Sequence, residues 1–227
     1  MEKYIIIVAG GKGNRLGSEI PKQFLPIHGK PILMHTIEKF YLYDKNINII
    51  VILPESHLEY WKLLCNEYSF EIKHKTVIGG EERFFSVKNA LECVPSNVLV
   101  GIHDAVRPFV SLSVIEKAFS LAQEKQAIAP AIKPTESIRS TDESDKSTPL
   151  NREHIFLVQT PQCFHSNIIK NAYSSTYSPK FTDDLTVVEN TSEVPIYLFE
   201  GNKENIKITT PFDLNIAEIL FNIEHNI

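Results

Sequence analysis

Glycines and basic residues follow the first apolar run of the chain, and this combination is typical of a phosphate site. The segment is Ala9-Gly10-Gly11-Lys12-Gly13-Asn14-Arg15. Glycines allow a tight turn and bring backbone N–H groups close to a phosphate. The segment has neither the Gly-Lys-Ser/Thr ending of the Walker loop nor the third glycine of the dinucleotide fingerprint. It therefore predicts a different kind of anion-binding loop, with a plain tight turn as the alternative.

A second basic residue strengthens the prediction of a phosphate site. Lys22 follows Arg15 closely, within Pro21-Lys22-Gln23-Phe24. Arginine offers a planar fork of donors and lysine a point charge, and both suit phosphate oxygens. Together the two side chains predict a clamp for a polyphosphate. The alternative is a pair of solvated surface cations.

An acidic residue, Asp104, stands where a later apolar run ends, in His103-Asp104-Ala105-Val106-Arg107-Pro108. A carboxylate at the C-terminal end of a parallel strand faces the crevice in which α/β sheets bind their ligands. Because Mg²⁺ prefers one or two carboxylates together with phosphate oxygens, Asp104 is the predicted magnesium ligand. The alternative is an ion pair with Arg107 that orders the turn, and the two roles are compatible.

Three further segments carry polar residues that are candidates for the same region. Lys207 stands between two isoleucines in a predicted short strand over residues 206–208, so its side chain points to the opposite face. Gly79-Gly80-Glu81-Glu82-Arg83 is a candidate anion site at a helix start, although its two glutamates favour a nucleobase over a phosphate. Thr182-Asp183-Asp184 is typical of a helix N-cap with an acidic first turn, which is a structural role.

Apolar runs and helical patterns alternate along the chain, and they decide where these side chains lie. The main predicted strands cover residues 4–9, 47–53, 72–78, 98–103 and 127–132, and the helices cover 31–43, 85–93, 113–125, 166–174 and 211–223. This alternation is typical of an α/β fold with a Rossmann-like, mostly parallel sheet flanked by helices. We therefore expect the glycine-rich segment and Asp104 to meet at one edge of the sheet.

The alternation stops between about residues 135 and 155, where the chain is polar and has few large apolar residues. A structureless loop of this length is uncommon inside a compact domain. The segment is either a solvated loop or a hairpin arm that leaves the domain. We predict a single domain over residues 1–227 with this one excursion.

Composition excludes several classes of protein. The 227 residues are 43% hydrophobic and 22% charged, so the chain is neither disordered nor fibrous. The formal net charge of −5 gives no reason to expect nucleic-acid binding, and no apolar run is long enough to span a membrane. Three scattered cysteines do not suggest a zinc site. Met1-Glu2-Lys3 leads directly into a strand without a signal-peptide pattern, which predicts a cytoplasmic protein.

Taken together, the motifs resemble the nucleotidyltransferase superfamily, and most closely the 2-C-methyl-D-erythritol 4-phosphate cytidylyltransferase family. The glycine-rich segment alone is typical of the superfamily, whereas the whole set, in order along nearly the full chain, is more specific. The remaining matching segments are Pro21-Lys22-Gln23, Gly79-Gly80-Glu81-Glu82-Arg83 with Ser86-Val87, the segment around Asp104, Thr160-Pro161-Gln162, Phe181-Thr182-Asp183-Asp184, and Glu200-Gly201-Asn202 through Asn205-Ile206-Lys207-Ile208-Thr209.

The resemblance implies a reaction of the non-mevalonate isoprenoid pathway, in which CTP and 2-C-methyl-D-erythritol 4-phosphate give the CDP-alcohol and pyrophosphate, with Mg²⁺ as cofactor. It assigns catalysis to four basic residues, Arg15, Lys22, Arg152 and Lys207. It assigns nucleotide binding to Ala9, Gly10, Gly11, Gly13, Gly80, Glu81 and Ser86. It assigns acceptor binding to Asp104, Arg107 and Ser137, with Asp104 also as the metal ligand. It further implies a homodimer clasped by the polar arm, which leaves open whether Arg152 and Ser137 serve their own or the partner's active site.

Four positions depart from the pattern that is common in the family, namely Gly10, Glu81, Val106 and Ser137. Ser137 stands where a threonine often faces the acceptor, which leaves ribitol-5-phosphate cytidylyltransferase as an alternative. The departures in the loops also leave open a non-catalytic nucleotide-binding module. A sugar-phosphate nucleotidyltransferase that uses another base is a third possibility.

Overall fold

The computed structural model describes residues 1–10 and 20–225. The strands are β1 (Lys3–Val8), β2 (Pro26–Ile27), β3 (Lys30–Pro31), β4 (Asn48–Leu53), β5 (Lys75–Ile78), β6 (Leu99–Asp104), β7 (Ala127–Ile132), β8 (Arg139–Thr141), β9 (Ser147–Pro149), β10 (Leu157–Val158), β11 (Gln162–His165) and β12 (Tyr197–Glu200). The α-helices are α1 (Ile32–Tyr43), α2 (Leu58–Glu67), α3 (Arg83–Leu91), α4 (Leu112–Lys125), α5 (Ser166–Ala172), α6 (Asp184–Thr191) and α7 (Pro211–His225).

Eight strands form one mixed sheet in the order β10-β7-β11-β6-β1-β4-β5, with β12 also paired to β7. The pairs β1–β4, β1–β6, β4–β5 and β7–β12 are parallel. Only β10 and β11, among the sheet strands described here, run antiparallel to their neighbours. The predicted α/β class and mostly parallel sheet are confirmed. The antiparallel β11, which inserts between β6 and β7, was not predicted.

Helices cover both faces of this sheet, and the alternation of side chains along the strands explains why. On β1, Ile5 and Ile7 pack in one cluster with α1, α2 and α4, while Ile6 packs in another with α3, α5 and α6. All three isoleucines are fully buried. Strands buried on both faces carry continuous apolar runs, which is how the sequence made them recognisable.

The register of the central strands brings their C-terminal ends to one level. Val8 at the end of β1 pairs with Ile52 on β4 and with Asp104 on β6. The next residues continue the ladder, because the Ala9 N–H donates to the Ile52 carbonyl at 3.0 Å and the Ala105 N–H donates to the Val8 carbonyl at 3.1 Å. Residues that follow these strands therefore share one edge of the sheet, as expected from the sequence.

The polar excursion contains a β-hairpin, and it is therefore not a structureless loop. Strands β8 and β9 pair antiparallel, and every residue of both is exposed. A side-chain hydrogen bond between Ser140 and Thr148 (2.8 Å) and a donation from Arg139 Nε to Ser147 Oγ (2.7 Å) support the hairpin. Hydrogen bonds within the hairpin, rather than apolar burial, order these strands.

The short strand predicted over residues 206–208 is wrong. This segment has no regular secondary structure and is held instead by single contacts, such as the 3.0 Å donation from the Ile208 N–H to the Val106 carbonyl. The side chains are nevertheless buried and exposed as predicted for a strand, since Ile208 is buried and Lys207 is exposed. None of the helices within residues 1–10 and 20–225 has the length and apolar content to cross a bilayer.

Candidate active site

A cleft opens at the C-terminal ends of β1 and β6. It is lined by Val8, Ala9, Gly10, Lys22, Gln23, Gly80, Glu81, Glu82, Arg83, Ser86, Asp104, Ala105, Val106 and Lys207. Eight predicted site residues are among these, from five separate parts of the chain: Ala9, Gly10, Lys22, Gly80, Glu81, Ser86, Asp104 and Lys207. The fold therefore gathers glycine backbone, basic side chains and one carboxylate in a single space.

Asp104 receives two basic side chains on the same carboxylate oxygen. Arg107 Nε lies 2.9 Å from Asp104 Oδ2, and Lys207 Nζ lies 3.1 Å from it. Burial alone would favour the neutral acid, but Lys207, Arg107 and Arg83 outweigh it and hold the pKa of Asp104 well below its usual range. The carboxylate is therefore ionised, and the sequence-based alternative of an Asp104–Arg107 ion pair is present in the structure.

Arg107 also fixes the segment that carries Lys207. Its Nη1 donates to the Asn205 carbonyl at 2.7 Å. Gln159 Nε2 donates to the Asn202 carbonyl at 2.9 Å, and Asn205 Nδ2 donates to the Thr160 carbonyl at 2.8 Å. These buried amide contacts replace the strand pairing that the sequence predicted, and they bring Lys207 to Asp104.

The strand end that carries Asp104 is supported by a buried histidine. The Arg107 carbonyl can only accept, so His103 Nε2 donates to it (3.0 Å), and His103 Nδ1 accepts from Thr160 Oγ1 (2.9 Å). Thr160 Oγ1 in turn accepts from the Asp104 N–H at 3.2 Å. Burial lowers the pKa of His103 to about 4, so the ring is neutral at pH 7.

The loop that precedes α3 is closed by a serine. Ser86 Oγ accepts from the Gly80 N–H (3.0 Å) and donates to the Glu82 carbonyl (3.0 Å). A Cβ on Gly80 would lie 2.5 Å from Cβ of Phe85, so this position has no room for a side chain. The backbone of this loop therefore lines the cleft directly, which suits recognition of a nucleotide by main-chain groups.

Arg83 is a cleft residue whose role the sequence analysis missed. Its Nη1 and Nη2 donate to the two carboxylate oxygens of Asp184 at 2.9 and 2.5 Å. Asp184 is fully buried and also accepts from the Tyr173 hydroxyl at 2.6 Å. The pair ties the start of α3 to the start of α6. The helix start predicted at Thr182-Asp183-Asp184 is present, with Asp183 as the N-cap of α6, where it accepts from the Thr186 N–H at 2.8 Å. The ion pair of its neighbour Asp184 was not predicted.

Some of the predicted residues lie elsewhere. Ser137 and Arg152 are exposed in the arm region and do not line the cleft of their own chain. Arg152 Nη1 donates to the Thr135 carbonyl at 2.5 Å. Arg107 contacts Asp104 without being a lining residue. The predictions for Gly11, Gly13 and Arg15 lie outside the described residues.

The donor set suits a cation that is shared with a substrate. Across residues 1–10 and 20–225 no group of three or more His, Cys, Asp or Glu side chains is placed to hold a metal by itself. Asp104 is an ionised carboxylate in the cleft, and the contacts from Arg107 and Lys207 both go to Oδ2. One carboxylate fits Mg²⁺ when phosphate oxygens supply further ligands.

Comparisons with known proteins agree with this geometry. The family described as IspD, 2-C-methyl-D-erythritol 4-phosphate cytidylyltransferase, matches residues 4–222. The protein of that name from Bacteroides thetaiotaomicron is 50% identical over 220 residues, which are 97% of this chain and 100% of the relative. The crystal structure of the Francisella tularensis protein of that name aligns with a TM-score of 0.78 at 31% identity, covering 96% of this chain and 99% of that one. The fold also matches 4-diphosphocytidyl-2C-methyl-D-erythritol synthase from Anaerococcus prevotii, with a TM-score of 0.83 over 97% and 96% of the two chains at 24% identity.

Proposed function

The chain belongs to the 2-C-methyl-D-erythritol 4-phosphate cytidylyltransferase family, and on that premise we propose that it transfers a cytidylyl group from CTP to 2-C-methyl-D-erythritol 4-phosphate. The products are the CDP-alcohol and pyrophosphate. The observation that carries the proposal is the convergence of Lys22, Lys207 and the Gly80 loop on one cleft at the end of the central strands.

The reaction joins two anions, and this sets what the protein must do. The phosphate of a monoester has a second pKa near ~6, so its oxygen is already anionic at neutral pH and needs no general base. That oxygen forms a new bond to the α-phosphorus of CTP, and the bond between the α-phosphorus and the bridging oxygen to the β-phosphate breaks to release pyrophosphate. The protein's task is to neutralise charge and to align the two reactants.

Two lysines divide this task. We assign Lys22 to the triphosphate, because it lines the cleft together with Ala9 and Gly10, which follow β1. We assign Lys207 to the acceptor phosphate, because its ammonium group is held at the Asp104 carboxylate in the cleft, and acceptor hydroxyls are natural partners for this ionised carboxylate. Arg15 is proposed to act with Lys22, and Arg152 with Lys207.

The nucleoside is proposed to bind along the backbone of two loops. Ala9 and Gly10 follow β1, and Gly80 and Glu81 lie between β5 and α3, on the same cleft. Ser86 closes the second loop with its hydroxyl. Gly11 and Gly13 are proposed to bind the nucleotide as well.

The Asp104 carboxylate would hold Mg²⁺ together with oxygens of the triphosphate. When bound, the ion would supply positive charge at the phosphate oxygens. Arg107 keeps this carboxylate oriented through its Nε contact, and it is proposed as an acceptor-site residue in this indirect sense.

The exposed hairpin is proposed to clasp a second subunit in a homodimer. Its strands are fully exposed, and the adjoining residues Phe156 and Leu157 are 41% and 49% exposed. Arg152 and Ser137 lie in this region and away from their own cleft, so we propose that they reach the active site of the partner. We also propose a cytoplasmic location, because the reaction consumes CTP.

Pyrophosphate release tests this proposal directly. Purified protein with Mg²⁺ is given CTP and 2-C-methyl-D-erythritol 4-phosphate, with ribitol 5-phosphate as the alternative acceptor and UTP as the alternative nucleotide. We expect release with CTP and the methylerythritol phosphate, and at least about tenfold less with either substitute. Release that is faster with ribitol 5-phosphate would reassign the acceptor, and release that is faster with UTP would reassign the base.

A further inference from the structure

Gln23 is a buried glutamine beside the cleft to which the function above gives no role. It follows Lys22 in the chain and is only 1% exposed. Its Nε2 donates to the Ala9 carbonyl at 3.0 Å. Ala9 directly follows the central strand β1, and its own N–H donates to the Ile52 carbonyl on β4. The glutamine amide therefore ties the turn that carries Lys22 to the middle of the sheet.

The residue after Gln23 is fixed as well. Phe24 is 3% exposed, and its ring packs against those of Tyr60 and Trp61 at centroid distances of 5.3 and 6.0 Å. Lys22, Gln23 and Phe24 form a short 3₁₀ helix, so these three residues share one rigid turn. Two consecutive anchors leave this turn little freedom to move relative to β1.

Stability alone does not explain the amide at this position. Because the Ala9 carbonyl can only accept, the amide nitrogen faces it, and the same nitrogen lies 3.3 Å from His57 Nδ1. Gln23 Oε1 is then buried, with no hydrogen-bond partner in the described ranges of the chain. A buried acceptor without a hydrogen-bond partner destabilises the folded state. An apolar side chain of similar length would therefore suit a purely structural site better.

We propose that Gln23 is a positioning residue for Lys22. Its amide fixes the turn to the end of β1, and the turn in turn places the Lys22 ammonium group at the triphosphate. This role rests on the proposed cytidylyl transfer, because Gln23 would affect that reaction only through the position of Lys22. A misplacement of about 1 Å at a reacting centre typically lowers the rate about 10²-fold.

A double-mutant cycle tests whether Gln23 acts through Lys22. Turnover is measured by pyrophosphate release for the wild type, Gln23→Met, Lys22→Ala and the double variant. We expect Gln23→Met to lower kcat by about 10- to 100-fold in the wild type, but by less than about twofold when Lys22 is already alanine. Gln23→Glu, which keeps the size and loses the donor, is measured in the same cycle and replaces Gln23→Met if that variant does not fold.

A matched control separates positioning from a general loss of structure. Ser166 is fully buried, and its Oγ accepts from the Val98 N–H at 3.1 Å at the opposite end of β6. Ser166→Ala should change kcat by the same factor in the wild-type background and in the Lys22→Ala background. Equal factors for the Gln23 variants in both backgrounds would overturn the inference, and so would full activity of Lys22→Ala. A wild type that releases no pyrophosphate would instead reject the proposed function.

Discussion

Lys207 Nζ lies 3.1 Å from Asp104 Oδ2, although one residue precedes the last helix and the other ends a central strand. The Lys207 side chain is 45% exposed, whereas that of Asp104 is only 12% exposed. A buried, ionised carboxylate thus holds an accessible ammonium group at the cleft wall. This arrangement presents a positive charge to an incoming anion and keeps the carboxylate available to a cation or a hydroxyl group.

Replacing Gly80 by alanine should impair nucleotide binding. The new Cβ would lie 2.5 Å from Cβ of Phe85, so the loop has to shift and the Gly80 N–H moves away from Ser86 Oγ. We expect a loss of about 1–3 kcal/mol in the free energy of unfolding and a higher KM for CTP. Gly10→Ala is the control for stability alone, because among the described residues its Cβ meets nothing closer than Ser86 Oγ at 3.9 Å. Equal unfolding of the two variants in urea, or an unchanged KM for CTP in Gly80→Ala, would contradict this account of the loop.

Breaking the Arg83–Asp184 pair should destabilise the protein strongly. Asp184→Asn removes the negative partner from a fully buried site and leaves the Arg83 charge, whose side chain is 32% exposed, without its hydrogen-bonded carboxylate. We expect a loss of about 3 kcal/mol in the free energy of unfolding, at the lower end for buried pairs because Arg83 is partly solvated. The exposed Lys62–Glu59 pair provides a control, and Glu59→Gln should change stability little. A small effect of Asp184→Asn in urea unfolding would show that the pair does not hold α3 to α6.

The stability of the protein should fall in mild acid because of His103. Its pKa is about 4 in the folded protein, against about 6.5 in an unfolded chain. As the pH drops below about 6.5 the unfolded chain takes up a proton that the folded protein does not, so stability is lost until about pH 4, by about 3 kcal/mol in total. Thermal unfolding from pH 8 to pH 4 should show this loss, and His103→Gln should have a flatter profile. Parallel profiles for the two proteins would argue against a neutral buried His103.

Mixing two inactive variants should restore activity if Arg152 serves the partner subunit. Lys22→Ala and Arg152→Ala are each expected to lower turnover about 10²-fold or more. A heterodimer of the two contains one site with both wild-type residues when Arg152 acts across the interface. After refolding an equal mixture, about a quarter of all sites should be active. No recovery of pyrophosphate release in the mixture would place Arg152 in its own site or outside catalysis.

The sequence predicts the central strands and the edge at which the site forms. Runs such as residues 4–9 and 98–103 are apolar because both faces of those strands are covered, so their strand character and the position of Asp104 follow from local pattern. Strand β11 was missed because Gln162-Cys163-Phe164-His165 is short and its glutamine contacts α6 through its side chain. Its place in the sheet depends on neighbours that are far away in sequence.

The contacts within the site were less predictable than its residue types. Lys22, Lys207 and Asp104 could be named because a charged residue next to a strand or a glycine turn is conspicuous. The Arg83–Asp184 pair and the amides of Gln159 and Asn205 join segments that no local pattern connects. A buried polar side chain whose partner lies far along the chain gives no periodic signal, so only the structure shows the pairing.

The most direct test of two cations serving two anions is the steady-state kinetics of Lys207→Gln with each substrate varied in turn. We expect the KM for 2-C-methyl-D-erythritol 4-phosphate to rise about 10- to 100-fold, because one charge-assisted hydrogen bond to its phosphate is lost. The KM for CTP should change less than about twofold. Lys203→Gln, on the same segment but outside the cleft lining, should leave both constants unchanged. A rise in the KM for CTP with an unchanged KM for the acceptor would contradict the assignment of Lys207 to the acceptor phosphate.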